Sequence, residues 1–193
     1  MPRWEEGSGE RMKQAAMELF EEQGFEETTA VQIAKRARVT ARTFFRYFPD
    51  KEEILFADAH VLDEALVQEL RQMPDLTNPL EAVTRTLAGY DWEKLGSRDI
   101  QHRRAQMIAA NPRLLERDLI KQHQMADGFR RVLCERGIDP DIAELAAGTG
   151  SQIFRTAYRK WLESNDNTDL TTITETVMSL LSAIVPWPAT QHR

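Results

Sequence analysis

TTAVQIAKRARVTARTFFRYF, residues 28–48, carries five cations (Lys35, Arg36, Arg38, Arg42 and Arg46), no acid and four aromatic residues. The chain around it is acidic: 193 residues with formal net charge -6. A cationic island in such a chain is a local feature, and phosphate binding depends on local cations rather than on total charge. Thr28 or Thr29 is placed to cap a short helix that carries Val31, Ile33, Ala34 and Ala37 inward. Thr40 is placed to cap a second, which ends near Phe48 because Pro49 disfavours helix at the residue before it. Two short helices across an Arg38-Val39 turn predict a helix-turn-helix, whose second helix enters the major groove. Taken singly, cations at helical spacing read as a solvated face, and Phe44 and Phe48 read as core. It is the coincidence of caps, turn and acid-free basic face that points to DNA.

On the reading helix, Thr40, Ala41, Arg42 and Thr43 occupy the N-terminal end, where base contacts concentrate. Arg42 is the first candidate for direct readout, because Arg bonds bidentately to guanine O6 and N7. Thr40 and Thr43 suit a phosphate or a thymine methyl, and Arg46 and Lys51 suit the phosphate backbone.

Helical periodicity continues on both sides. Met12, Ala15, Ala16, Leu19 and Phe20 form one apolar stripe, with Ser8 as the expected N-cap and Gly24 as the stop. Asp50 followed by Glu53 predicts a capping box for a long fourth helix with the stripe Ile54, Ala57, Val61, Leu62, Ala65, Leu66 and Leu70. Asn78-Pro79, Asn111-Pro112 and Asp139-Pro140 each open a helix, the Asx residue capping and Pro taking the first position, where its missing N–H costs nothing. The first of these is expected to run to about Leu95. Ser97 opens another over Arg98–Ala110, and Asp169 opens the last, ending at Pro186. Nine helices and no alternating strand pattern predict an all-α protein. A helix-turn-helix domain over 1–49 would be followed by a helical bundle over 50–193.

Composition, 41% hydrophobic and 29% charged, is that of a soluble globular protein. No apolar run approaches the roughly 18 residues of a membrane span. The N-terminal MPRWEEGSGE has no secretory pattern, and the lone Cys134 suits a reducing compartment, so a cytoplasmic address and no membrane partner are expected. No enzyme, metal or cofactor is expected. His60, His102, His123 and His192 lack metal-ligand spacing, and the carboxylates single out no catalytic pair. Gly148-Thr149-Gly150-Ser151 lies inside a helical stripe with no preceding strand.

From about Arg11 to Leu55 the sequence resembles the DNA-binding domain of TetR-family transcriptional regulators. The matching residues are Ala15-Ala16, Leu19-Phe20, Gly24-Phe25, Thr28-Thr29, Ile33-Ala34, Val39-Thr40, Thr43 to Phe48 and Lys51-Glu52-Glu53. The resemblance implies a homodimer that binds a near-palindromic double-stranded DNA operator and is released by a small-molecule effector, commonly as a repressor. Arg38 stands where the family usually places a turn Gly, Arg42 replaces a frequent Gly, and Phe45 stands where a phosphate-bonding Tyr is common. Tyr47 is then the candidate for that hydroxyl. Thr29, Arg38, Phe45 and Tyr47 complete the expected DNA-binding set.

Further on, Ala143, Ala146, Ala147, Gly150, Ile153, Phe154, Ala157, Tyr158 and Trp161 form one stripe, and Ile173, Val177, Leu180, Leu181 and Ile184 another. By pattern these read as intrachain core. The resemblance implies instead a dimer interface, with Ala146, Ile153, Ala157, Trp161, Val177, Leu181 and Ile184 as its candidates. It also implies an effector pocket within helices four to eight, for which the apolar and polar candidates are Phe56, His60, Tyr90, Trp92 and His102, with Arg103, Met107, Met125, Phe129 and Phe154. The segment from His102 to Trp161 is similar to the subgroup that includes mycofactocin regulators, which implies an acyl-CoA-like ligand. A helical protein-interaction adaptor, or a small-molecule enzyme built on a helical bundle, is the alternative class.

Overall fold

The computed structural model describes residues 7–164 and 166–184. The expected helix end at Pro186, and His192, lie outside them. Among the described residues there are nine helices of seven residues or more and no strand: α1 (Ser8–Gln23), α2 (Ala30–Arg36), α3 (Ala41–Tyr47), α4 (Ala59–Gln72), α5 (Pro79–Ala88), α6 (Arg98–Ala110), α7 (Pro112–Glu135), α8 (Pro140–Glu163) and α9 (Leu170–Ser179). Two 3-10 turns, Glu53–Phe56 and Trp92–Leu95, and a short α10 (Leu181–Ile184) complete the set.

The chain forms two compact units, Met1–His60 with Gln106–Asp118, and Val61–Ala105 with Leu119–Arg193. The first therefore extends past residue 49 and takes in a distant segment. The reason is apolar: Ile54, Leu55 and Phe56 are buried in the same cluster as Ile108 and Leu114, together with Met12, Phe20, Ile33, Phe44 and Phe48.

Local chemistry accounts for the departures from expectation. Ser8 is the first helical residue rather than the cap. Gly7, at φ 85, turns the chain into α1, and the buried Ser8 hydroxyl accepts from Arg11 Nη2 at 3.0 Å. The fourth helix is interrupted. Asp50 Oδ1 does accept from the Glu53 amide at 2.8 Å, but Ile54, Leu55 and Phe56 are buried in succession rather than on the single stripe expected. The segment tightens to 3-10, and α4 then buries Leu62, Leu66 and Leu70 while Val61 and Ala65 face solvent. Val31, expected inside, is exposed as well. Helix α5 stops at Ala88, short of Leu95. The Trp92 indole N–H donates to the Leu87 carbonyl at 2.8 Å, taking the acceptor that a continuing helix would use.

In the second unit, α5, α7, α8 and α9 bury one apolar cluster that includes Val83, Leu87, Phe129, Val132, Leu133, Ala146, Ala147, Phe154, Trp161 and Val177. Gly150 of α8 lets α5 approach closely: a Cβ there would lie 2.8 Å from Val83 Cγ1. Gln101, almost fully buried, donates to the Trp92 and Gly96 carbonyls at 2.8 and 2.7 Å and accepts from the Tyr158 hydroxyl.

Candidate nucleic-acid interface

Helices α2 and α3 are seven residues long, too short to persist on propensity alone, and their ends are secured by polar groups. Thr29 and Gln32 form a complete capping box at the start of α2. At its end, Arg38 takes φ 58, the one described non-Gly residue with positive φ. The Val39 N–H donates to the Ala34 carbonyl at 2.9 Å and the Arg38 N–H to the Lys35 carbonyl at 3.1 Å. That pair is a Schellman motif, whose left-handed position is ordinarily glycine. Arg11 Nε, reaching across from α1, donates to the Ala37 carbonyl at 3.4 Å. Two residues beyond the left-handed turn, Thr40 caps α3, accepting from the Thr43 amide at 3.0 Å, and the two threonine hydroxyls bond each other at 2.9 Å.

Phe44 and Phe48 anchor α3 in the core, at 0% and 6% exposure. That turns Arg42, Phe45 and Arg46 outward, with Ala41 and Thr43 half-buried at the flanks. Phe45 is 53% exposed and Tyr47 39%. The Arg46 guanidinium lies 5.4 Å from the centre of the Tyr47 ring. Lys35, Arg38 and Arg42 are exposed, and the ion pairs among the described residues engage none of them. Arg36 differs from these. Its guanidinium is bound by Glu22, at 2.7 Å, and by Glu18, which raises its pKa and ties it back to α1.

Lys51, expected on a phosphate, is committed elsewhere. Its ammonium donates to the carbonyls of Phe25, Glu26 and Thr28 at 2.7, 3.1 and 2.9 Å and sits 4.4 Å from the centre of the Phe25 ring. An ammonium has three protons, so these bonds use its donor capacity. Lys51 staples the loop between α1 and α2. Thr29 is likewise a structural cap.

One feature of the same unit leaves no local trace in sequence. Arg117, near the start of α7, donates to Asp50 Oδ2 at 2.5 Å, to Asp50 Oδ1 at 3.1 Å and to Glu53 Oε2 at 3.2 Å. Burial disfavours the charged Asp50 carboxylate, but the Arg117 guanidinium and the Glu53 amide more than offset that and hold its pKa below the usual range. Asp50 is thus both a helix-turn cap and half of an ion pair that closes the segment after α3.

The expected effector residues divide between the units. Phe56 and Met107 belong to the apolar cluster of the first unit, and His60 is an exposed residue there. Tyr90, Trp92, Met125, Phe129 and Phe154 belong to the second cluster, with Trp92 stacked on Phe154 at 5.0 Å and edge-on to Tyr90 at 5.4 Å. His102 is half-buried and Arg103 exposed on α6. Of the residues expected between copies, Ala146, Ile153, Ala157, Trp161 and Val177 are buried inside the chain's own core and Leu181 packs against it. Only Ile184 stands out, at 73% exposure. The apolar stripe of α8 is intrachain packing, as its pattern alone suggests.

A capped two-helix turn with an outward cationic reading helix defines a helix-turn-helix regulator. Residues 14–57 match the family model for bacterial regulatory proteins of the tetR family. Over 181 residues the chain is 32% identical to the HTH-type transcriptional regulator TcmR of Streptomyces glaucescens, covering 89% of this chain and 80% of that protein. Over 108 residues it is 34% identical to the HTH-type transcriptional regulator HbdR of Aromatoleum sp. (strain CIB), covering 54% and 47% of the two chains. Among solved structures it superposes on Thermus thermophilus FadR, a repressor in complex with lauroyl-CoA, with TM-score 0.56 and 26% identity over 96% of this chain and 99% of that one. The chain belongs to the TetR family of transcriptional regulators. No described helix is long and apolar enough to cross a membrane, and no group of three His, Cys, Asp or Glu able to hold a metal occurs among the described residues.

Proposed function

We propose that this regulator is a homodimeric repressor that holds a near-palindromic operator through α3 and releases it on binding an acyl-CoA-like effector. The observation that carries the DNA reading is the outward face of α3 and its turn, where Arg38 and Arg42 are exposed and engaged by no acid among the described residues. Cations held in that way are available to phosphates and base edges.

Dimerisation is supported by what α8 and α9 leave uncovered. Ile142 and Leu145 on α8 are 53% and 69% exposed, and Leu180 at the end of α9 and Ile184 in α10 are 49% and 73% exposed. Gly148, one turn from Leu145, has nothing within 4 Å of where a Cβ would stand. A glycine inside a helix costs about 1 kcal/mol relative to alanine, and no neighbour among the described residues requires it here. A second copy's helix approaching along that face would. An isologous dimer presents two reading helices related by a two-fold axis, which is why the operator is near-palindromic.

The effector class follows from the likeness to the FadR repressor that carries lauroyl-CoA. Tyr90, Trp92, Met125 and Phe154 supply the apolar surface that an acyl chain needs, and Arg103 supplies a cation for an anionic head group. The effector releases DNA only by binding the two conformations unequally.

Selection of bound duplex from a random pool at defined salt tests the central reading. Enrichment of a palindrome whose affinity falls steeply with salt is expected. An unenriched pool would sink it and favour the adaptor class. Titration of the selected complex with lauroyl-CoA should dissociate it. Turnover of the acyl-CoA would point to the enzyme class instead.

A further inference from the structure

We infer that Phe45 is a base-reading residue, its ring covering the 5-methyl group of a thymine in the major groove beside a guanine held by Arg42. The inference rests on the reading of α3 as the DNA-bound helix and adds to it the bases that α3 selects.

The polar inventory of α3 is smaller than its sequence suggests. The Thr40 hydroxyl accepts from the Thr43 amide, and the Thr40–Thr43 hydroxyl bond uses one of the two hydroxyl protons. Arg46 lies over the Tyr47 ring near the C-terminal end of the helix. Ahead of Arg46, the outward side chains of α3 with surface to offer are Arg42 at its N-terminal end, where base contacts concentrate, and Phe45 three positions on. Phe45 has no donor and no acceptor, so a phosphate contact through it forms no hydrogen bond. Its ring is nonetheless 53% exposed and held edge-on against Phe44, at 5.4 Å and 84°. Phe44 is itself fully buried, so the ring is braced on the core. A braced, exposed aromatic on a reading helix meets one apolar feature in the major groove, the thymine methyl.

Arg42 and Phe45 are three positions apart, which places their Cβ atoms roughly 5–6 Å from each other on one side of the helix. Successive bases on a strand are separated by about 3.4 Å. The pair thus spans one to two base steps, and each half-site should carry a guanine one or two steps from a thymine.

The test uses the duplex selected from the random pool, with each thymine of the half-site replaced in turn by deoxyuridine, which differs only in lacking the methyl. Binding is followed by fluorescence anisotropy at fixed salt. Replacement at one position should weaken the intact protein about fourfold, the factor expected from leaving one apolar carbon unburied. In Phe45→Ala, checked for an unchanged melting curve, that thymine-to-uracil ratio should fall to one while salt-dependent binding persists. Replacing a cytosine at the same position by 5-methylcytosine should restore affinity only when Phe45 is present. The inference is overturned if the intact protein binds every uracil duplex equally, if the uracil penalty survives in Phe45→Ala, or if the half-site holds no thymine within two steps of a guanine. Each of those outcomes still leaves a palindrome bound, whereas failure of the DNA-binding reading yields no enriched duplex at all.

Discussion

Helices α2 and α3 have seven residues each, while α7 and α8 have twenty-four, and the two lengths are held by different means. Two helical turns form too few internal hydrogen bonds to offset the cost of nucleation. The reading head therefore relies on polar fittings at nearly every chain reversal: the Thr29–Gln32 box, the Schellman turn at Arg38, the Thr40 cap, and Lys51 on three loop carbonyls. The long helices of the second unit rely on close apolar contact, as where Gly150 admits Val83 and Gly128 admits Val67. Polar fittings fix direction, since each bond specifies an angle and a partner. That suits a surface proposed to present Arg42 and Phe45 to base edges in one orientation. Apolar contact is less directional, so a helical bundle can shift between packings at modest cost, which suits the effector response proposed for this region.

The sharpest way to break this contrast is Lys51→Met. If Lys51 is a loop staple, removing it strands three carbonyls and a cation–π contact, and the protein without DNA should lose about 2–3 kcal/mol in denaturant unfolding followed by helical signal. A lysine that touched phosphate would leave the free protein unchanged and lower only the salt dependence of binding. In the second unit the matching experiment is Gly150→Ala. Alanine gains about 1 kcal/mol of helix propensity. The new Cβ, however, would stand 2.8 Å from Val83 Cγ1 and 3.0 Å from Val83 Cβ. Val83 is fully buried and β-branched, and a helix strongly favours one χ1 rotamer for such a side chain. Overpacking of this kind costs about 1–3 kcal/mol, so after the propensity gain a net loss of up to about 2 kcal/mol is expected. Gly148→Ala, with open space around it, separates packing from propensity. It should stabilise a monomer and weaken the proposed dimer, read by sedimentation at several concentrations.

The same contrast decides what could be read from sequence. Capping residues act on neighbours two or three positions away, so Thr29, Thr40, Asn78, Asp139 and Asp169 announce their helices, and the structure places a cap at each. The family pattern from about Arg11 to Leu55 is legible for the same reason, and the family model matches residues 14–57. Long-range partners are not. The bond from Arg117 to Asp50 spans 67 positions, so Asp50 reads only as a cap and the first unit's extension into Gln106–Asp118 goes unseen. Lysine at position 51 looks like a phosphate contact because its loop carbonyls lie more than twenty positions away. On α8 the periodicity identifies the buried stripe but cannot say whether a copy or the chain itself covers it. Ala146, Ile153 and Ala157 are covered from within, and the exposed Ile142 and Leu145 stand outside the stripe the eye follows.

Arg38 gives the smallest expected effect and the finest test of how the head is built. Its φ of 58 places it in the left-handed region, where a side chain costs roughly 1 kcal/mol relative to glycine. The Schellman bonds from Val39 and Arg38 need that conformation whatever residue occupies the position. Arg38→Gly should therefore keep the turn and raise stability, though by less than 1 kcal/mol, because glycine also gains entropy in the unfolded chain. Operator binding should move the other way. An exposed cation beside the reading helix is lost, so affinity should fall at low salt and the slope of log K against log salt should become shallower by about one if Arg38 meets a phosphate. A stability gain with an unchanged slope would mean that the arginine faces solvent in the complex. A stability loss would mean that its side chain is held by a contact that outweighs the backbone cost. The opposite signs expected for folding and for binding would mark Arg38 as a position where the turn tolerates strain in order to place a charge.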